Sequence, residues 1–354
     1  MAASNPNVTT SEQETPAIPI PVPSAWWCRW QLLKGTNPRH MTIPDVDLRD
    51  KWILLTGGNS GVGYEAALQF VKWGANIVLG CRPNPPSHEM HPDEAVQLLK
   101  DAASAAGHQT AVIEWWEVDM TILKSVEAFG KRWLETGRAL DILANNAGIA
   151  GASLDGKIVI TADGLEIVHQ VNFASHVLLT MTVLPSLAKA PSPRIICTTS
   201  CMQYFGIFDL SNANSGQNAY ANNKLYFQTW LTELQARMSN SSNYKHVSIQ
   251  GVHPGFVSTN IWVRPAGQKK NSSWFATVVR FLLKHYAVDS QQGSLAITHA
   301  ATVKKAGVGG YFNRIWEAVP MPQTKNPECR RGVWEFVDEE LKLEERGLLG
   351  ELGV

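Results

Sequence analysis

The sequence predicts an α/β protein: one doubly wound parallel sheet of about seven strands, with helices on both faces. Three observations predict it. An apolar run, Ile53-Leu54-Leu55-Thr56, stops in a glycine-rich turn, Gly57-Gly58-Asn59-Ser60-Gly61-Val62-Gly63, which opens an amphipathic run from Tyr64 to Trp73. Beyond Asp50, short apolar runs alternate with segments of helical spacing, the pattern of βαβ units whose strands are covered on both faces. No linker-like stretch interrupts that alternation as far as residue 313.

In chain order, residues 1–25 are rich in Ser, Thr, Asn and Pro and are expected to form a disordered or polyproline-like arm. Residues 26–49 begin with Trp26-Trp27-Cys28-Arg29-Trp30-Gln31-Leu32-Leu33-Lys34. This stretch suits a segment packed on one edge of the domain, and its aromatic and basic residues would also suit a membrane-surface anchor. Strands are expected at Trp52–Thr56, Asn76–Cys81, Thr110–Val118, Leu140–Asn145, Arg194–Thr199, Val247–Val252 and Gly310–Phe312. Helices are expected at 61–73, 92–106, 121–136, 163–188, 220–239 and 289–304. Residues 256–288 leave the alternation, mixing Gly, Pro and Trp with a helical run from Trp274 to Tyr286, and residues 314–354 form a tail with a charged helix over Trp334–Arg346. The main domain is therefore expected to span 50–313.

The totals restrict function. Lys plus Arg and Asp plus Glu both number 31, which gives no support to a nucleic-acid partner. The five cysteines lack any C-x-x-C spacing, so neither a metal site nor a disulfide frame is suggested, and a reducing, cytoplasmic setting fits best. No secretory signal and no run of about 18 apolar residues is read from the sequence, so no transmembrane segment is expected. Peripheral membrane contact and homo-oligomerisation stay open.

Strand, tight turn and helix together place an anion such as a pyrophosphate on a helix N-terminus, whose N–H groups have no intrahelical partner. The spacing Gly57-x3-Gly61-x-Gly63 differs from the commonest dinucleotide fingerprint. The second strand ends at Cys81-Arg82, where a dinucleotide fold meets the adenosine ribose. From Asn76 to His88 there is no acid for a 2′-hydroxyl, whereas Arg82 suits a 2′-phosphate, so NADP(H) is preferred over NAD(H). Asp119, after the third strand, either accepts from an adenine amino group or caps the next helix. The small residues of Asn145-Asn146-Ala147-Gly148 would let a strand end lie against a cofactor, while the tetrapeptide alone is a plain turn signal. Tyr220 and Lys224 share a helix face at i, i+4, where an ammonium would stabilise a phenolate and bring proton transfer into range. Ser200 ends the fifth strand and could hold a carbonyl. Asn172 is either a satisfied core residue or part of a proton relay.

Thr56-Gly57-x3-Gly61-x-Gly63, Asp119, Asn145-Asn146-Ala147-Gly148, Asn172, Ser200, Tyr220-x3-Lys224 and Pro254-Gly255-x3-Thr259 occur in the order of the short-chain dehydrogenase/reductase family. Thr161-x-Asp163-Gly164-x-Glu166 and Gly310-Tyr311-Phe312 resemble its retinol-dehydrogenase-like branch. The resemblance covers roughly 50–313 and implies a Rossmann-type oxidoreductase. It implies that Tyr220 is the acid/base, Lys224 tunes it and binds the nicotinamide ribose, Ser200 orients the carbonyl and Asn172 completes a water relay. It implies cofactor contacts from Gly57, Asn59, Ser60, Gly61, Val62, Gly63, Arg82, Asp119, Asn146, Ala147, Gly148, Tyr220, Lys224, Pro254, Gly255, Val257 and Thr259. Residues 256–288 correspond to its substrate lid. Two departures stand out: Asn223 precedes the catalytic-type lysine where the family usually has Ser, and Phe173-Ala174-Ser175 follows Asn172 in place of a His-x-Gly pattern.

The expected activity is an NADP(H)-dependent interconversion of carbonyl and alcohol on an apolar small molecule resembling a retinoid, steroid, lipid or secondary metabolite. The rivals are a catalytically silent NADP(H)-sensing protein and a nucleotide-fold transferase. Ser200, Tyr220 and Lys224 argue against the first, and the second needs no Tyr-x3-Lys pair.

Overall fold

The computed structural model describes residues 20–34, 40–151, 158–257, 287–303 and 309–353. Among these, eight strands form one sheet: β1 (Trp52–Thr56), β2 (Asn76–Cys81), β3 (Ile113–Glu117), β4 (Ile142–Asn145), β5 (Arg194–Thr198), β6 (Ser248–His253), β7 (Tyr311–Asn313) and β8 (Trp316–Ala318). Their order is β3-β2-β1-β4-β5-β6-β7-β8, parallel throughout except for β8, which runs antiparallel to β7. The parallel doubly wound sheet is as expected from sequence. β8 was not foreseen: it has three residues, and Trp316 and Glu317 are exposed, so it carries no apolar alternation.

The sheet's two faces follow from the two-residue period of a strand. In β1, Ile53 and Leu55 join one core with Phe70, Leu99 and Ile297, while Leu54 turns to the other with Trp133, Leu179 and Phe227. Helices α2 (Gly61–Lys72), α3 (Pro92–Ala105) and α8 (Ser290–Thr302) supply the first face; α4 (Leu123–Glu135), α6 (Ser175–Leu187) and α7 (Ala219–Asn240) supply the second. With the order of the strands reversing between the neighbours β1 and β4, the strand C-termini open a crevice at the switch point, where α/β sheets bind ligands.

The helix expected over 163–188 is corrected. Asp163-Gly164 makes a turn, with Gly164 in the left-handed region at φ 81°, and the helix starts only after Glu166, whose carboxylate accepts from His169 N–H at 2.9 Å. One helical turn, α5 (Ile167–His169), then widens into a π-turn over Gln170–Ala174 before α6. The stretch Ile167–Leu187 is long and apolar enough to cross a bilayer, contrary to the sequence reading, but 94% of its most apolar window is buried inside the protein. Its hydrophobicity is that of a core helix.

The tail helix α9 (Pro327–Leu341) also begins earlier than the expected Trp334. Asn326-Pro327, which looks like a break, is instead a start: the Asn326 side chain accepts from Cys329 N–H at 2.9 Å, and proline at the first helical position has no N–H to lose. Val333, Trp334, Val337 and Leu341 bury against the second core.

Residues 25–34 form α1 (Ala25–Lys34). Cys28 and Gln31 are buried beneath it, and Trp27 meets Tyr204 edge-on at 5.8 Å. Met41 exchanges hydrogen bonds with the Gln292 side chain on α8, at 2.7 and 3.2 Å. Most of the proposed arm and of the lid, including the expected Trp274–Tyr286 helix, lies outside the described residues.

Candidate active site

The crevice begins at the glycine turn. Thr56 Oγ1 accepts from the backbone N–H groups of Asn146 and Ala147, both at 3.0 Å, and Asn146 Nδ2 donates to the carbonyls of Thr56 and Gly57 at 3.1 and 3.3 Å. These bonds lock the ends of β1 and β4 together, so Asn146, Ala147 and Gly148 form one wall with the turn. A Cβ on Gly63 would sit 2.1 Å from the Gly57 carbonyl oxygen, so only glycine lets α2 start flush against the turn. Ser60 stands at the N-cap of α2 without capping it through its side chain. The first N–H groups of α2 are thus left for a ligand in the cavity that Ser60, Gly61 and Val62 line.

That cavity, about 470 Å³, runs from the α2 N-terminus past the ends of β2 and β3 to Ser200, Tyr220 and Lys224, with Pro254, Gly255 and Val257 closing the far side. Every site residue named from the sequence lines it except two: Asn172 is buried behind it, and Thr259 falls outside the described residues. The N–H-rich, glycine-lined end and the cationic Arg82 fit a dinucleotide.

Several side chains are more committed than the sequence suggested. Asn59 is buried and Nδ2 donates to the Met90 carbonyl at 2.8 Å, holding the loop before α3 against the turn. Asp119 Oδ1 accepts from both the N–H (2.8 Å) and the hydroxyl (2.7 Å) of Thr121, so it braces the entry to α4, while Ile122 is the N-cap residue. Arg82 Nη2 pairs with Glu89 at 3.0 Å. Glu89 was missed because the span free of acids ends one residue earlier, at His88.

At the other end, Ser200 N-caps a short 3-10 helix, its hydroxyl accepting from Met202 N–H at 3.1 Å. Tyr220 stands in the first turn of α7, half-buried against the cavity, and Lys224 lies one turn on, fully buried. Lys224 Nζ donates to the Thr198 carbonyl at 2.6 Å and sits 5.6 Å from the centre of the Tyr220 ring. Burial lowers this ammonium to about 8, with Cys197 opposing the shift. Burial likewise pushes the Tyr220 phenol up to about 12, although a hydrogen bond with Ser200 opposes it. The lysine is expected from sequence to bring the phenol down; here its nitrogen is turned to Thr198, and desolvation of the phenol works against it.

Asn172 lies in the π-turn, where one extra residue shifts the helix face. Its Oδ1 accepts from Ile149 N–H at 2.8 Å and its Nδ2 donates to the Ile149 carbonyl at 2.7 Å, which fixes the loop after Gly148. Each polar atom thus has one backbone partner beside the site, and each keeps a second hydrogen-bonding position. Asn223 points away from the cavity. Its Nδ2 donates to the Ala219 carbonyl at 2.8 Å, which turns Oδ1 to His169 Nδ1 at 2.6 Å. The other ring nitrogen, Nε2, faces both oxygens of Glu340 on α9 at 2.9 and 3.0 Å. Each ring nitrogen has an acceptor opposite it, an arrangement that favours the protonated ring of His169. Burial opposes its charge, but the hydrogen bond and charge of Glu340, then Asn223 and Glu166, outweigh burial and raise its pKa.

The family model for short chain dehydrogenases matches residues 51–269. This chain is a short-chain dehydrogenase. It is 27% identical over 309 residues to human retinol dehydrogenase 13, covering 85% of this chain and 86% of that protein. It is 28% identical over 327 residues to human retinol dehydrogenase 14, with 86% and 88% covered. Among solved structures it resembles the NADPH-bound carbonyl reductase from chicken fatty liver at a TM-score of 0.54 and 21% identity, covering 78% of this chain and 96% of that one. The resemblance read from the ordered motifs, to the retinol-dehydrogenase-like branch, is borne out. This short-chain dehydrogenase is an oxidoreductase of the alcohol–carbonyl couple.

Proposed function

We propose that the protein interconverts a carbonyl and an alcohol on an apolar small molecule, retinoid-, steroid-, lipid- or secondary-metabolite-like, with NADP(H) in preference to NAD(H). The observation that carries this is one cavity with an uncapped helix N-terminus and Arg82 at one end and Ser200, Tyr220 and Lys224 at the other. The names of the retinol dehydrogenase relatives support an apolar substrate, and NADPH in the carbonyl reductase neighbour supports the cofactor.

In the reduction direction, the Ser200 hydroxyl orients the substrate oxygen beside the phenol. Tyr220, protonated at neutral pH, gives its proton to that oxygen as charge develops there. Lys224 holds the ribose side and, as a buried cation, favours the phenolate left behind. The dinucleotide supplies the hydride. The test is NADPH consumption with a panel of apolar aldehydes and ketones; binding of NADPH without turnover of any of them would instead support the silent sensing protein.

NADPH is expected to bind more tightly than NADH, because the Arg82 guanidinium can fork onto a 2′-phosphate. Arg82→Ala should weaken NADPH selectively by about 1–3 kcal/mol, read by titration of intrinsic Trp fluorescence. Equal affinities in the unmutated protein would remove this preference.

A peripheral membrane location also belongs to this reading. The inner face of α1 docks on the protein, while the outer face presents Trp26 and Trp30, stacked at 6.4 Å, with Leu33, Arg29 and Lys34 at helical spacing. Trp26 is 71% exposed and Trp30 48%. Indole rings flanked by cations suit the headgroup layer of an anionic bilayer. Trp26→Ser with Trp30→Ser should weaken binding to phosphatidylserine-containing vesicles about tenfold or more, with the melting temperature unchanged. Vesicle binding that is undiminished in this variant would show that α1 only packs.

A further inference from the structure

The Arg82–Glu89 pair stands where the two nicotinamide dinucleotides differ. Arg82 follows β2 directly, and Glu89 returns to it across a turn closed by a hydrogen bond from Glu89 N–H to the Pro86 carbonyl at 2.9 Å. The next residue, Met90, is fastened by its carbonyl to the Asn59 amide of the glycine turn at 2.8 Å. The loop that carries Glu89 is thus tied to the turn that would hold the pyrophosphate, and its carboxylate is held over the end of β2. Arg82 and Glu89 both line the cavity; the Glu89 side chain is the more sheltered, 20% exposed against 41% for Arg82. His88 Nε2 lies 4.0 Å from the same Glu89 oxygen that Arg82 holds.

We infer that Glu89 is a specificity-determining residue that competes with a 2′-phosphate for Arg82 and serves as the acceptor for a 2′-hydroxyl. The inference rests on the proposed NADP(H) reading of this cavity and deepens it. A 2′-phosphate must share the Arg82 guanidinium with the Glu89 carboxylate that already occupies one Nη2–H, so two anions meet at one cation, and the carboxylate takes up part of the charge and donors the phosphate would use. A 2′-hydroxyl meets no such competition: it donates to the free oxygen of Glu89 while Arg82 keeps the other. The acid that most restrains the NADPH preference is therefore seven residues along the chain from the cation that creates it, and no position inside β2 supplies it. Arg82 alone would make a strongly NADPH-selective site; Arg82 with Glu89 makes one that also accepts NADH.

The test is the dissociation constants of NADPH and NADH, and of 2′,5′-ADP and 5′-AMP as fragments, for the unmutated protein, Glu89→Gln, Arg82→Ala and the double variant. Glu89→Gln keeps the shape and removes the charge. It should tighten NADPH and 2′,5′-ADP, weaken NADH, and raise the NADH-to-NADPH ratio of dissociation constants about tenfold or more. The gain for NADPH should shrink when Arg82 is already absent, since no guanidinium remains to be released. A ratio in Glu89→Gln within twofold of the unmutated protein, while both dinucleotides bind and Arg82→Ala weakens NADPH, would overturn this inference and leave the cofactor reading intact. Failure of both dinucleotides to bind the unmutated protein would overturn the cofactor reading and this inference with it. Melting curves of each variant confirm that the protein measured is folded.

Discussion

Tyr220→Phe is expected to lower kcat for carbonyl reduction by about 10²- to 10⁴-fold, the usual contribution of a positioned general acid. The substitution removes one oxygen and keeps the ring that packs on the cavity wall, so NADPH affinity and melting temperature should barely move. The pH dependence separates the two directions of reaction. With the phenol raised to about 12 by burial, Tyr220 is protonated through neutral pH, so reduction should be flat there. Alcohol oxidation needs the phenolate and should rise as pH increases. Stopped-flow measurement of single-turnover NADPH oxidation isolates the chemical step from product release. A Tyr220→Phe enzyme that retains more than a tenth of the chemical rate would show that another group delivers the proton.

Glu340→Ala is expected to cost about 3 kcal/mol or more in urea unfolding, because it leaves the fully buried His169 ring without its acid. The double variant His169→Leu with Glu340→Leu should recover much of that loss, since replacing a buried pair by apolar side chains is often near neutral. The pair also sets a pH dependence of stability with a definite sign. His169 has a raised pKa in the folded protein, so its contribution is fully present below the unfolded value of about 6.5 and fades as pH rises through the folded value. Stability that is unchanged by Glu340→Ala at pH 6, or that rises across this range because of the pair, would contradict the account. Because Asn223 joins the pair to the turn of α7 between Tyr220 and Lys224, the same variant should also lower kcat.

What could be read from the sequence tracks how local each determinant is. The inner strands of the parallel sheet are short, largely buried runs, and their spacing between helical segments is enough to place them. β8 escaped because its side chains are largely exposed and its pairing depends on β7 alone. The break before Ile167 depended on a glycine with positive φ and on the Glu166 cap, and a uniformly apolar run conceals both. At the site, Gly57 to Gly63 and the Tyr220–Lys224 face are contiguous in sequence, so their geometry is legible. Glu89 and Glu340 act through partners that folding brings to them: nothing in the stretch around Glu89 says that the loop doubles back on Arg82. Sequence spacing gives the distance between Tyr220 and Lys224 along a helix but not the desolvation of the phenol, which works against the lysine.

The His169–Glu340 contact also bears on the order in which the enzyme becomes complete. The two residues are 171 positions apart. At synthesis rates of 5–20 residues per second, roughly ten to thirty seconds separate their emergence from the ribosome. During that interval the sheet strands β1 to β6 and the catalytic helix can assemble, but the histidine beside that helix lacks the carboxylate that makes its charge tolerable. The crevice can therefore form before the helix that carries Tyr220 and Lys224 is fully braced. Ligand capture can precede competence to react, and a chain cut between β8 and α9, which keeps the whole sheet and the cavity lining, would be expected to sequester dinucleotide without consuming it.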